Sequence, residues 1–501
     1  MRPKGPEQNG DARALPSPRR AATSRLSSVP ADDPGLLTVA ETSLLIDQYE
    51  LAMAASYQAQ GMNSVAIFEL FVRELPPGRD WLLAAGLGPA LRMISGLRFG
   101  QRELRFLERT GFTAPLLYYL ERFSFSGDID ASPEGTIVFA GEPLVRVVAP
   151  RIEAQLLETL LLNQINFQTA IATKAARIVL AAGGGEPGAG EHVIDFSPRR
   201  DHGVDAAIKA ARAAGIAGVT GTSNVAAAMR YGLTPVGTMA HSYVLSFASE
   251  QEAFEVFMRH TPDNAILLVD TYDTIDGVRH AIAAAQATRI PLRGVRLDSG
   301  DLLSLSRATR VLLDEAGLTQ TAIVASGDLE EHQIAALVAA GAPIDTWAVG
   351  TELGPSRDAP ALGGVYKLVA DAAANGCGWR PVWRRSPAKA TIPGPKQVWR
   401  RYRDGTMCGD LVTEASESAP GRPLLVPFVR SGQILRRETL SAMQTRTLSE
   451  LRALPPELRQ PEHVSLEAYP VRYSRRLLQP VRDPNPPPQA APAAHPVSRT
   501  G

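Results

Sequence analysis

The sequence predicts an α/β fold that combines a (β/α) barrel of seven or eight strands with a separate α+β domain. Between His192 and Glu352, seven short apolar runs each stop at small, polar or charged residues: HVIDF, GVTG, PVGT, AILLVD, RGVRLD, AIVASG and TWAVG. Most runs are followed by a loop and by an Ala/Leu/Ile stretch with helical spacing. This alternation is typical of parallel β/α units. A second segment, 128–149, has strand-like runs with no helix between them, which indicates the α+β domain.

The elements before the barrel follow from local patterns. Residues 36–57 have apolar positions at helical spacing, with Thr42 or Ser43 as candidate caps. Residues 65–72 (VAIFELFV) predict a strand and 82–97 a helix. Within 128–149, Pro-Glu-Gly at 133–135 and Gly-Glu-Pro at 141–143 are turn signals that separate strands.

The apolar stretch 152–182 carries acids, amides and basic residues, so it predicts a buried helix pair and not a membrane span. Residues 365–370 are the candidate eighth barrel strand. After Asp371, basic loops and the strand-like runs QVWRRYRDG and LLVPFVRSG predict a return to the first unit. The predicted segments are a disordered 1–35, an α+β domain 36–150, the barrel 151–372, a C-terminal segment 373–475 that completes the α+β domain, and a disordered, Pro-rich 476–501.

Composition excludes several classes of function. The 52 basic and 52 acidic residues cancel, so net charge predicts no nucleic-acid partner, although it leaves room for a local basic pocket. Two cysteines, Cys377 and Cys408, exclude a disulfide framework and a Cys-rich zinc site, and fit a reducing cytoplasm. The first 35 residues lack the apolar region of a secretory signal. An organelle transit peptide is the alternative, against which the acids in that segment argue.

The loops that follow the strands build the active site of such barrels, and six of the seven begin with polar chemistry. Ser326-Gly327-Asp328 and Gly350-Thr351 follow the last two runs. Small residues at a strand-to-helix turn let backbone N–H groups approach a phosphate, and the helix dipole favours the anion. The alternative is that these glycines only make tight turns.

Four charged or aromatic residues at strand ends are candidates for catalysis or binding. Arg296 and Asp298 lie two apart on one strand and so on one face; they form either a structural salt bridge or a site for an anionic substrate. His241 and Asp270 end neighbouring runs, and an Asp that holds one imidazole nitrogen leaves the other as base or nucleophile. For Asp270 the alternative is a helix cap.

Phe196, followed by Arg199 and Arg200, suits a planar aromatic acid and phosphates. It is equally read as a core aromatic beside solvated arginines.

Together these residues resemble the nicotinate phosphoribosyltransferase family over roughly 36–473. The shared motifs occur in order: LLIDQYELAMA, FELFVRELP, DFSPRR, GTSNV, GTMAHS, LLVDTYDT, VRLDSGDL, ASGDL, VGTEL and KATIPGPKQVWR. The resemblance implies the same two-part fold and the joining of nicotinate to phosphoribosyl pyrophosphate, coupled to ATP hydrolysis, with Mg²⁺ accompanying the phosphates. It also implies a homodimer with shared active sites.

The resemblance assigns roles to single residues. His241 matches a transiently phosphorylated histidine, Asp270 the acid that orients it, and Phe196 the aromatic that stacks on the pyridine ring. Tyr49 matches a tyrosine that reaches the ring from the partner subunit. Further matches are Arg199 and Arg296 as cations near pyrophosphate and ring substituent, and the loops of Ser326, Gly327, Asp328, Gly350 and Thr351 as the 5′-phosphate site. The catalytic role expected of Asp298, contact with a second polar group of the substrate, comes from its position beside Arg296 and not from the resemblance. Lys389, Thr391 and Lys396 lie in a family motif whose contacts the resemblance does not assign.

Position 223 separates nicotinate from nicotinamide as the substrate. Nicotinamide phosphoribosyltransferases resemble GTDTV here, with an Asp that accepts from the amide, whereas Ser223 can donate to a carboxylate. The alternatives are nicotinamide phosphoribosyltransferase, a barrel isomerase or aldolase, and an inactive binding or scaffold homologue. An aldolase needs a lysine at a strand end, which no run supplies, and a scaffold predicts the loss of His241, Arg296 or Asp298.

Overall fold

A computed structural model describes residues 41–372, 378–382, 391–461 and 468–479. The strands are β1 (Val65–Val72), β2 (Leu82–Leu83), β3 (Asp128–Ala131), β4 (Ile137–Val138), β5 (Pro143–Pro150), β6 (Val193–Asp195), β7 (Gly221–Thr222), β8 (Thr234–Pro235), β9 (Ile266–Leu268), β10 (Gly294–Leu297), β11 (Ala322–Ala325), β12 (Thr346–Val349), β13 (Gly364–Ala372), β14 (Trp379–Pro381), β15 (Lys396–Arg403), β16 (Thr406–Glu414), β17 (Arg422–Pro423), β18 (Val426–Arg430), β19 (Gln433–Ile434) and β20 (Val471–Tyr473).

The α-helices are α1 (Gln48–Ala59), α2 (Leu87–Gly96), α3 (Gln101–Arg109), α4 (Ala114–Glu121), α5 (Arg151–Gln155), α6 (Glu158–Ala182), α7 (Val204–Ile216), α8 (Val225–Tyr231), α9 (His241–Val244), α10 (Glu250–His260), α11 (Thr274–Thr288), α12 (Leu302–Glu315), α13 (Glu331–Ala339), α14 (Leu440–Ala453) and α15 (Arg475–Leu478). Short 3₁₀ turns lie at Glu41–Leu44, Ala189–His192, Pro262–Asn264 and Pro456–Arg459.

All seven predicted barrel runs contain or adjoin strands of one parallel sheet, in the order β8-β7-β6-β12-β11-β10-β9. The sheet curls, but β8 and β9 are not hydrogen-bonded to each other among the described strands. The gap is bridged by a hydrogen bond from the Asn264 side chain to the Gly237 carbonyl, at 2.7 Å. The predicted α/β class with seven barrel strands is therefore confirmed, and no eighth strand closes the ring within the described part of the chain.

The candidate eighth strand, 365–370, was assigned to the wrong sheet. It lies in β13, which pairs antiparallel with β1, from Val72 opposite Gly364 to Ala66 opposite Asp371. Both belong to an antiparallel sheet of order β14-β13-β1-β5-β3-β18-β19. That sheet joins strands from before and after the barrel, as the sequence predicts for the α+β domain. A four-stranded sheet, β17-β15-β16-β20, and the pair β2-β4 complete the described strands.

The helix α6 connects the two parts of the molecule. Its first half, with Leu160, Leu161 and Ile165, packs into the core of the antiparallel sheet. Its second half, with Ile171 and Ala175, packs into the core behind the parallel sheet. No helix among the described residues is both long enough and apolar enough to cross a membrane.

Two helix predictions differ from the structure. The first helix begins at Gln48 with Asp47 as its flanking residue, so neither Thr42 nor Ser43 caps it. Residues 82–97 begin with the short strand β2 and become helical only at Leu87. Local apolar spacing does not separate a short buried strand from the start of a helix here, because residues 82–87 are a continuous buried apolar run.

Candidate functional site

The candidate site lies at the carboxyl ends of the parallel strands. Because neighbouring strands run in the same direction, the loops that follow them meet at one edge of the sheet. Caps fix where the next helices begin: side chains of Asn224, Asp273 and Asp301 accept backbone N–H groups of α8, α11 and α12. Asp301 and Asn224 are therefore helix caps within their motifs.

Arg296 and Asp298 form the centre of the site. Arg296 Nη2 donates to Asp298 Oδ1 at 2.8 Å, and Nε donates to the Ser326 hydroxyl at 2.9 Å. Nη1 donates across the open side of the sheet to Thr238 Oγ1 at 3.1 Å and to the Met239 carbonyl at 3.3 Å. The predicted pair on one strand face is thus present, and its guanidinium also links the loop after β8 to β10.

Asp298 remains an ionised carboxylate in this setting. Burial alone raises the pKa of Asp298, but hydrogen bonds from Arg296 and Ser326 and the nearby charge of Arg296 lower it below its ordinary value. The Ser326 hydroxyl, itself buried, donates to Asp298 Oδ1. Ser326 therefore holds the Arg296–Asp298 pair, and its side chain is not turned to the open face of its loop.

His241 is the accessible base of the site. Its Nδ1 atom lies 3.2 Å from the Thr271 hydroxyl, and its Nε2 atom lies 3.9 Å from Asp298 Oδ2. The imidazole side chain is 44% exposed. A ring held at one nitrogen and open at the other can act as a nucleophile.

Asp270 directly precedes Thr271 in the chain, but its own carboxylate does not hydrogen-bond the His241 ring. Its Oδ2 atom accepts from the Asp298 backbone N–H at 3.1 Å and from the Ser299 hydroxyl at 2.6 Å. The expected direct contact with His241 is therefore wrong as a description of this structure. The reason is that Asp270 turns along the sheet edge towards the loop after β10, and Thr271, the next residue, makes the contact with the ring.

The Arg296 guanidinium carbon lies 5.6 Å from the centre of the Phe196 ring, where the sequence leads us to expect Arg199 and Arg200. Ser223 follows β7, next to β6, and its backbone N–H donates to the Asp195 carbonyl at 2.8 Å. Its hydroxyl makes no hydrogen bond within the described part of the chain. Arg199 and its neighbour Arg200 are exposed and form no ion pair among the described residues.

The loops after β11 and β12 have backbone N–H groups without partners in the portion of the chain that the structure describes. Gly327 has φ of +95°, and a Cβ there would lie 2.0 Å from the Asp298 carbonyl oxygen, so only glycine fits. Among the described residues, the N–H groups of Gly327, Asp328, Thr351 and Glu352 have no partner. Strands β11 and β12 are paired, so the two loops are neighbours.

The N-terminus of α13, whose dipole was expected to assist these loops, is already capped by a carboxylate of this chain. The carboxylate of Glu330 accepts the N–H groups of His332 and Gln333 at the start of α13, at 3.0 and 2.8 Å. An anion bound at the 326–328 loop would therefore rely on loop N–H groups and not on this helix terminus. Glu330, Glu331 and His332 have metal-ligand spacing, but the carboxylates of Glu330 and Glu331 already serve the helix cap and ion pairs.

Two acids were missed by sequence reasoning. The first is Asp195, the last residue of β6, which is buried. Its carboxylate accepts from the Ser197 N–H at 2.9 Å and from the Thr222 hydroxyl at 2.8 Å. The second acid is Asp201, whose pKa is raised to about 7 by burial and by the charge of Asp195. The available signal was an acid inside an apolar run, which is costly unless it is hydrogen-bonded.

Tyr49 lies away from these loops, in α1, and is 47% exposed. With Asp47, Glu158, Thr159 and other residues it lines an open cavity of about 370 Å³. Burial, then the charge of Glu158, raises the pKa of Tyr49, so the phenol stays protonated. Within one chain the structure does not bring Tyr49 into the ring of strand-end residues.

The residues of the KATIPGPKQVWR motif lie outside this ring as well. Lys396 is buried and its Nζ atom pairs with Glu69 Oε2 at 2.8 Å, which joins β15 to β1. Thr391 is buried, and its hydroxyl has no hydrogen-bond partner among the described residues. Lys389 lies outside the described residues.

Comparisons with known proteins agree on one family. The family model described as nicotinate phosphoribosyltransferase N-terminal domain matches residues 44–166, and the nicotinate phosphoribosyltransferase family model matches 192–326. The chain is 47% identical over 441 residues to nicotinate phosphoribosyltransferase pncB2 of Mycobacterium tuberculosis (strain ATCC 25618 / H37Rv), covering 87% of this chain and 92% of that protein. It is 43% identical over 363 residues to the Bacillus subtilis (strain 168) nicotinate phosphoribosyltransferase, covering 72% and 73%.

Among solved structures, the crystal structure of human nicotinic acid phosphoribosyltransferase superposes with a TM-score of 0.74 at 27% identity. The match covers 86% of this chain and 98% of the human chain. The split antiparallel sheet and the open parallel sheet are thus accounted for within a single known architecture.

Proposed function

This chain belongs to the nicotinate phosphoribosyltransferase family, and on that premise we propose that it couples ATP hydrolysis to catalysis through a phosphorylated His241. The activity itself, transfer of a phosphoribosyl group to nicotinate in NAD biosynthesis, follows from the family. The observation that carries the ATP step is the exposed imidazole, held at Nδ1 and open at Nε2.

The chemistry of that step is a phosphoryl transfer. With Nδ1–H donating to Thr271, the lone pair on Nε2 attacks the γ-phosphorus of ATP, an N–P bond forms, and ADP leaves with the electrons of the broken P–O bond. Water later attacks the phosphorus and returns the neutral imidazole. Arg296 neutralises Asp298, so this carboxylate does not repel the incoming phosphate.

The choice of nicotinate over nicotinamide is assigned to Ser223 and Arg296. The pyridine ring stacks on Phe196, which lies beside the Arg296 guanidinium. The ring carboxylate then meets a cation and a hydroxyl donor, while the neutral amide of nicotinamide gains no charge–charge attraction from Arg296.

Phosphoribosyl pyrophosphate is assigned to the adjacent loops. Its 5′-phosphate accepts the free N–H groups of the 326–328 and 350–352 loops. Arg199, which is exposed at the site, pairs with the pyrophosphate. Mg²⁺ accompanying the phosphates would neutralise part of their charge, and the ionised Asp298 would offer an oxygen of the type that Mg²⁺ prefers.

Tyr49 enters the site from a second copy of the chain. Support for this assignment is its exposure on α1 and its absence from the strand-end ring of its own chain. The active unit is therefore a homodimer with shared sites.

The experiment supplies purified protein with phosphoribosyl pyrophosphate and either nicotinate or nicotinamide, each with and without ATP. We expect nicotinate mononucleotide and pyrophosphate, with formation accelerated by ATP and one ADP released per coupled turnover. Equal rates with and without ATP contradict the coupling, and preferred use of nicotinamide contradicts the assignment of Ser223.

A further inference from the structure

Beside the two phosphate loops lies a group of five charges, here called the Lys174 cluster, of which Arg79, Lys174 and Glu331 are buried and Asp358 is the most exposed. Its members are Arg79, Lys174, Arg177, Glu331 and Asp358. Lys174 Nζ lies 2.6 Å from Glu331 Oε2 and 3.2 Å from Asp358 Oδ1. Its side chain is 2% exposed, so the ammonium is removed from water and depends on these two carboxylates.

The two arginines of the cluster bind the same two carboxylates. Arg177 Nε donates to Glu331 Oε1 at 2.9 Å. Arg79 binds both oxygens of Asp358 at 2.9 Å and the Ser356 hydroxyl at 2.7 Å. Ser356 has a left-handed φ of +48°, a conformation that this contact holds in place.

The two acids of the cluster each follow one of the two phosphate loops in the chain. Glu331 is the first residue of α13, three residues after Asp328 in the first loop. Asp358 ends the turn that begins at Thr351 in the second loop. One ammonium on α6 therefore fixes the far ends of both loops relative to each other.

Charge balance shows that the pairs are maintained at neutral pH. Burial alone raises the pKa of Glu331 and of Asp358, but Lys174 and Arg177 lower that of Glu331, and Arg79 and Lys174 lower that of Asp358. Buried ion pairs contribute little to net stability compared with apolar packing, whereas they can specify geometry. The contacts thus indicate a positioning device.

We propose that Lys174 is a positioning residue for phosphoribosyl pyrophosphate, because it sets the spacing of the two loops whose N–H groups receive the 5′-phosphate. It touches neither substrate nor the reacting atoms, and its effect reaches the substrate through Glu331 and Asp358. This inference rests on the proposed phosphate role of the 326–328 and 350–352 loops.

The test is Lys174→Met, which keeps the length of the side chain and removes its charge. We expect the KM for phosphoribosyl pyrophosphate to rise about tenfold or more, with kcat and the KM for nicotinate within about twofold of wild type. A second variant, Lys174→Gln with Glu331→Gln, removes opposite charges in equal number and provides folded protein if the single variant does not fold. It should show the same rise.

The matched control is Arg151→Met, which breaks a buried ion pair of 2.6 Å between Arg151 on α5 and Asp371 on β13, away from the loops. It should lower the Tm comparably and leave the KM for phosphoribosyl pyrophosphate unchanged. If Lys174→Met changes only the Tm, the positioning role is overturned. The variant Gly327→Ala distinguishes failure of this inference from failure of the proposed function. If Gly327→Ala raises this KM while Lys174→Met does not, only the inference about Lys174 fails. If neither variant raises it, the proposed phosphate role of the two loops is wrong.

Discussion

The Nε2 atom of His241 lies 3.9 Å from the Oδ2 atom of Asp298, the same carboxylate whose other oxygen binds Arg296. Asp270 reaches this arrangement only through the Asp298 backbone and Ser299. The acid nearest the imidazole is thus already neutralised, while Asp270 fixes the loop that carries it. Removal of Asp270 should therefore disturb the position of Asp298 before it affects the ring.

Replacement of His241 by Ala should abolish phosphorylation of the protein. The reason is that the His241 imidazole is exposed at the strand ends and held at Nδ1 by the hydroxyl of Thr271, which leaves Nε2 as the nucleophile. With γ-labelled ATP, wild type should carry an acid-labile, base-stable label and the variant none, while slow ATP-independent transfer persists. His280→Ala, which alters an imidazole paired with Glu250 on α10, is the control and should keep the label. Label that persists in His241→Ala contradicts the assignment.

Replacement of Ser223 by Asp should reduce kcat/KM for nicotinate by about 100-fold or more, because a second carboxylate then faces that of the substrate. Ser223→Ala removes only the donor and should reduce it by about fivefold. Use of nicotinamide should rise slightly in Ser223→Asp, since one substitution rarely completes a change of specificity. Steady-state rates with both substrates decide the matter. Unchanged turnover of nicotinate in Ser223→Asp shows that this residue does not face the ring substituent.

Mixing two variants that each lack ATP-coupled activity should restore that activity if sites are shared. Tyr49→Ala lacks the residue given to the partner's site, and His241→Ala lacks the acceptor of the phosphoryl group. In a mixed dimer one site has both residues intact, so recovery of up to about a quarter of wild-type activity is expected at full random exchange. Tagged subunits verify the exchange. Mixed dimers without recovered activity indicate sites built within one chain.

Replacement of Gly327 by Ala should damage the site and the fold together, because the new Cβ meets the Asp298 carbonyl oxygen at 2.0 Å. We expect a lower Tm and a KM for phosphoribosyl pyrophosphate raised by about tenfold or more. Gly341→Ala is the matched control: φ there is also left-handed, +66°, but nothing lies within 4 Å of the added atom. A KM that rises equally in both variants means that backbone strain alone is responsible.

Replacement of Glu50 by Gln should remove a pH dependence of stability. Burial, together with the charge of Glu158, raises the pKa of Glu50 to about 7, although hydrogen bonds from Thr159 oppose the shift. Between pH 4.5 and 7 the unfolded chain loses this proton first, so this carboxyl lowers the stability of the folded protein as pH rises through that window.

The Tm of Glu50→Gln should therefore equal that of wild type near pH 4.5, exceed it increasingly up to about pH 7, and keep a constant difference above that. Thermal melts in matched buffers measure the difference. A Tm difference that does not vary with pH means that Glu50 titrates normally.

The sequence predicts well what depends on neighbouring residues. Each apolar run with a polar stop contains or adjoins a strand of the parallel sheet, and the spacing of Arg296 and Asp298 placed both on one face. The sequence-based prediction is wrong where the placement of a strand depends on residues far away in the chain. Residues 365–370 have an ordinary strand pattern, and only their pairing with β1 assigns them to the antiparallel sheet. Side-chain direction after a strand end is likewise not local, which explains why Thr271 and not Asp270 meets His241.

The pairing of β1 with β13 also has a consequence for synthesis of the protein. Val72 is paired with Gly364, so on a ribosome that adds about 5–20 residues per second, β1 waits on the order of 15 to 60 s for its neighbour. During that time the β1 edge, with its unpaired N–H and C=O groups, can pair with strands of other nascent chains. The parallel sheet between them can form meanwhile from consecutive β/α units. Nascent chains released before β13 should therefore require a chaperone that covers strand edges, whereas those released after it should not.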